Sequence, residues 1–146
     1  MAVLRVGGLP DGALAAAAEF HAAVLPEVLA ELEKLKPLPF KEGVGGGGCP
    51  DSSASADSPH PNPFPEGEGL LVLIFSPADH SHRAWRLAAI QALAREYAPA
   101  RVNALASDSE KAIAAALDYL QAAGGVTGQL LELDDTGAGE VLSSSA

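Results

Sequence analysis

The sequence predicts an α/β fold, half of a doubly wound parallel sheet with flanking helices, and three observations carry that prediction. Leu70-Leu71-Val72-Leu73-Ile74-Phe75 is a run of large apolar side chains, too short for a helix and suited to a strand buried on both faces. Two more short strands follow, Arg101-Val102-Asn103-Ala104-Leu105 and Gln129-Leu130-Leu131-Glu132-Leu133. Helical patterns from about Ser81 to Tyr97 and from about Asp108 to Ala123 separate them. Strands spaced by helices of this length pair in parallel through right-handed crossovers.

Upstream, Ala2 to Val6 reads as a strand closed by Gly7-Gly8. Asp11, after Pro10, stands where a helix N-cap belongs. The helix from about Ala13 to Lys36 carries Leu14, Val24, Leu25, Val28, Leu29, Leu32 and Leu35 on one broad stripe, and Pro26 is expected to kink or divide it. Gly7-Gly8 invites comparison with a phosphate-binding turn. No Gly-x-Gly-x-x-Gly is present, so it reads as a plain strand–helix turn.

Residues 37–69 change character, with Gly45-Gly46-Gly47-Gly48 and then Ser58-Pro59-His60-Pro61-Asn62-Pro63-Phe64-Pro65. Such a stretch buries too little apolar surface to offset its ordering entropy and reads as a disordered insert. Cys49 and His60 lie in it, and a metal site on that pair is not expected.

The helix from Ser81 to Tyr97 holds Trp85, Ala88, Ala89, Ala92 and Leu93, its small residues permit close approach to a sheet or a second helix, and Pro99 ends it. Ser107-Asp108-Ser109-Glu110 has the form of a capping box, with Ser107 as N-cap. Thr127-Gly128 turns the chain into the last strand, and Gly, Ser and Ala dominate after Asp135. The expected organisation is a strand–helix unit over residues 1–36, the insert over 37–69, an α/β core over 70–135 and a flexible tail over 136–146.

The chain has 146 residues, 48% of them hydrophobic, enough for one domain with a real core. Nineteen acidic against nine basic residues give a net charge of −10, which repels phosphate backbones and argues against a nucleic-acid partner. The lone Cys49 excludes an internal disulfide and fits a reducing cytosol. Residues 1–20 hold one Arg and an apolar run broken by Gly and Pro, which is no export signal. No stretch approaches the roughly 20 uninterrupted apolar residues of a membrane span. The expectation is a cytoplasmic protein with no membrane partner.

One cluster invites chemistry. Asp79, His80, His82 and Arg83 crowd the first turn of a helix at the carboxyl end of a strand, where open α/β sheets bind ligands. They form either an acid/base cluster or anion clamp, or a capped, solvated helix start. His-x-His spacing suits zinc, but no third ligand is apparent.

Ala92-Leu93-Ala94-Arg95-Glu96-Tyr97-Ala98-Pro99 followed by Arg101-Val102-Asn103-Ala104-Leu105 resembles the short-chain dehydrogenase/reductase (SDR) family. Tyr119-Leu120 and Val126-Thr127-Gly128-Gln129, ahead of Leu133-Asp134, resemble that family's last helix and strand. The likeness is fairly specific from Leu70 to Asp134, looser from Ala2 to Lys36, and absent over the insert. It implies a partial Rossmann-like fold, the C-terminal half of an SDR sheet. Residues 58–69 also resemble peptides encoded by dispersed bacterial DNA repeats, which implies an acquired insert and a bacterial source.

The same resemblance puts the catalytic Tyr at Asp79 and its Lys partner at Arg83, with no room for the Ser loop between Ser76 and Asp79 and no Asn near Ala13 or Leu14. An aspartate cannot replace a phenol, and a guanidinium lacks the tunable ammonium. No glycine-rich dinucleotide turn is present. The leading expectation is therefore a catalytically inactive SDR-like protein with no cofactor and no metal, acting through self-association or docking. The resemblance puts the interface on Trp85, Ala88, Ala92, Leu25 and Leu29, and the partner is a second copy or a full-length SDR-type protein. The rival is a small-molecule or anion-binding protein, or an enzyme, using Asp79, His80, His82 and Arg83.

Overall fold

The computed structural model describes residues 1–35 and 69–133. The expected insert, with Cys49 and His60, and the expected tail lie outside the described residues, apart from Gly69. Four strands, β1 (Ala2–Val6), β2 (Leu70–Phe75), β3 (Arg101–Ala106) and β4 (Leu130–Glu132), form one parallel sheet in the order β1-β2-β3-β4. This is an α/β, partial Rossmann-like architecture. All six residues of β2 are buried, which explains their unbroken apolar run: neighbours flank the strand and both of its faces are covered.

The first crossover is one continuous helical run, α1 (Ala13–Glu19), a π-helical turn (Phe20–Val24) and α2 (Leu25–Leu35). Pro26 has no N–H to donate and its ring crowds the carbonyl four residues back. The helix absorbs this by widening in the turn before it, where the Leu25 N–H bonds the Phe20 carbonyl five residues back. Phe20, Val28 and Leu32 enter the core with Leu71, Leu73 and Phe75 of β2. By length and composition alone this run is also long and apolar enough to cross a membrane, with a mean hydropathy of 1.4 over its apolar window and 17% of that window buried. Charges and Pro26 interrupt the run, so it holds no uninterrupted apolar stretch, while the alanines between them keep its average high.

A 3₁₀ turn (His80–His82) leads into α3 (Arg83–Glu96), which packs on the same face through Ile90, Leu93 and Ala94. The last helix, α4 (Glu110–Ala122), covers the opposite face, where Ile113, Ala116 and Leu120 meet Leu70, Val72, Ile74 and Leu105. The strands step in one direction while α4 changes face, so the third crossover has the opposite hand from the first two. The expectation of right-handed crossovers throughout therefore fails. Its physical reason is β2 itself, whose second apolar face needs a cover that α1, α2 and α3 do not supply.

Two helix starts differ from their expected form. Gly12, not Asp11, is the N-cap of α1, without a side-chain bond. Ser109, not Ser107, caps α4, accepting from the Ala112 N–H at 3.4 Å. Ser107 instead accepts from the Ser109 N–H at 3.1 Å, and Glu110 leaves the expected box to pair with Arg5.

Candidate functional site

The carboxyl ends of β1 and β2 open into a cleft of about 280 Å³, lined by the Val6–Asp11 loop, the Ser76–Asp79 loop, His82 and Arg86. Parallel strands end side by side here, and open α/β sheets bind ligands outside the carboxyl ends of their strands. Gly8 makes the turn out of β1 at φ +72°, a conformation that favours glycine.

The sequence cluster does not act as one group. Asp79 and His82 line this cleft, whereas His80 and Arg83 line a neighbouring one of about 290 Å³ with Glu132. Asp79 is committed locally. Its carboxylate accepts from the Ser81 N–H at 2.8 Å and from the Ser81 hydroxyl. Those hydrogen bonds, the hydroxyl's first, hold its pKa below the ordinary aspartate value. Arg83 reaches Glu132 at 3.4 Å, both about half exposed. That pairing crosses from α3 to β4 on the surface and is of modest strength.

His82 is 4% exposed. Its Nε2 donates to the Asp11 carbonyl at 2.9 Å, tying the start of α3 to the loop before α1. Its Nδ1 is buried without a partner. A carbonyl only accepts, so Nε2 carries a proton and Nδ1 of the neutral ring presents a lone pair.

Arg86, which the sequence reading passed over, is the other buried basic group, 6% exposed. Its Nη1 donates to the Ser76 carbonyl at 3.0 Å, and its guanidinium carbon lies 4.7 Å from the Phe75 ring centroid. Its Nε is buried without an acceptor. Burial pushes its pKa down from the ordinary arginine value, opposed by the charge of Glu132. The signal for Arg86 was positional. Continuing the buried stripe Tyr97, Leu93, Ile90 towards the N-terminus at helical spacing lands on Arg86 and His82.

A family model described as short chain dehydrogenase-like protein matches residues 59–133, just over half of the chain. The chain belongs to this family. Neither a curated protein nor a solved structure matches it. The SDR-like match starts at residue 59, inside the stretch read as an insert, so the likeness begins earlier than the Leu70 boundary drawn from the sequence.

In this SDR-like chain the residues of the family-like phrase on β3 serve as braces. Arg101 Nη1 donates to the Leu120 and Ala123 carbonyls at 3.0 and 2.9 Å, closing the C-terminus of α4. Fully buried Asn103 donates to the Val126 carbonyl at 2.9 Å and accepts from the Gln129 N–H at 3.1 Å. Among the described residues no group of three His, Cys, Asp or Glu gathers at metal-binding distance.

The expected interface residues separate by burial. Ala88 and Ala92 are exposed on α3. Leu25 and Leu29 are partly buried against the core. Trp85 is engaged inward, its ring 5.5 Å from Phe20 and 5.9 Å from Phe75.

Proposed function

We propose that this SDR-like chain has no hydride-transfer activity of its own and works through association, as a homodimer or docked to a full-length SDR-type partner in the cytoplasm. The observation that carries the reading is the outer surface of α1 and α3, two helices in contact on one face of the sheet. Leu14 there is 87% exposed, and Ala15, Ala18, Ala22, Ala84, Ala88 and Ala92 are exposed as well. A large aliphatic among small side chains on adjacent helices offers a surface that a further helix approaches closely. Among the described residues β1 is an edge strand, with Val3 42% exposed, and its free side adds to the same argument.

The inactive half of the reading rests on chemistry. The sequence resemblance puts Asp79 and Arg83 where the family has its Tyr and Lys, and Asp79 is bonded to Ser81. Two measurements test the whole. Sedimentation velocity at tens of micromolar is expected to give a dimer that Ala92→Glu splits with helical content retained. A monomeric wild type that also fails to capture a full-length SDR removes the association reading. Calorimetry with NAD(H) and NADP(H) is expected to show no binding, and micromolar affinity for either overturns the inactive reading.

A further inference from the structure

We draw no further inference here: the strongest candidate, the strip of sheet beside α4 where Met1 and Val3 stand exposed between the Arg5–Glu110 and Met1–Gln121 contacts, carries nothing because nothing in the structure shows what covers that apolar face.

Discussion

Asn103 is fully buried, and both ends of its amide are used to hold the turn between α4 and β4. Replacing it with alanine leaves the Val126 carbonyl and the Gln129 N–H, both in part-buried hydrogen bonds, without these partners. The expected loss is about 2–3 kcal/mol in urea unfolding, well above that of an ordinary surface change. A loss indistinguishable from zero would mean that water replaces the amide. The Arg5–Glu110 pair is the opposite case, bidentate at 2.7 Å but exposed on both sides. The Arg5 guanidinium lowers the Glu110 pKa, mainly by hydrogen bonding, and Glu110 raises that of Arg5. A depressed carboxylate pKa contributes stability above its unfolded value and loses it as pH falls through the folded one. Wild type is therefore expected to exceed Glu110→Gln near neutrality and to converge on it in acid below both values. Added salt should shrink the neutral difference, because exposed charges are screened. A difference that persists unchanged in acid rules out the ion pair as its source.

At the scale of single elements, what is legible in the sequence follows how local the cause is. β2 and β3 show themselves as short apolar segments because burial on both faces needs apolar side chains throughout. The helix ends are less legible because their partners are distant. Glu110 leaves the capping box for Arg5 on β1, and the Asp11 carbonyl is taken by His82. Arg86 was overlooked because a charged residue reads as the solvated side of a helix, whereas here it extends the buried stripe of α3. Close approach is equally hidden. A Cβ on Gly69, just before β2, would lie 2.7 Å from the Leu35 Cβ and 3.2 Å from the Leu35 carbonyl oxygen. Neither atom is the end of a flexible side chain, so the last turn of α2 would have to move. Gly69→Ala is expected to cost about 1–3 kcal/mol by chemical denaturation. A neutral outcome would show that the end of α2 shifts freely away from the sheet.

Across the whole molecule the sheet is covered unequally. The α1–α2 run and α3 press Phe20, Val28, Leu32, Ile90 and Leu93 onto one face, whereas among the described residues the other has the single helix α4. That helix contributes Ile113, Leu120 and two small residues, Ala112 and Ala116, to its buried side. It is fastened at its C-terminal end by Arg101 and leads into a strand of only three residues. A unit with fewer large buried side chains opens at lower free energy than the core it covers. α4 and β4 are therefore expected to behave as one sub-global unit. Its backbone amides should exchange before those of β2, which keeps β1 and β3 paired on its two edges. Leu120→Ala removes a fully buried anchor and is expected to cost about 2–4 kcal/mol. Its distinguishing effect is to accelerate exchange in α4 and β4 more than in β2. Native-state hydrogen exchange on wild type and variant decides the point. If α4 exchanges only with global unfolding, at the same free energy as β2, the sheet and its single second-face helix form one cooperative unit and the proposed hierarchy is wrong.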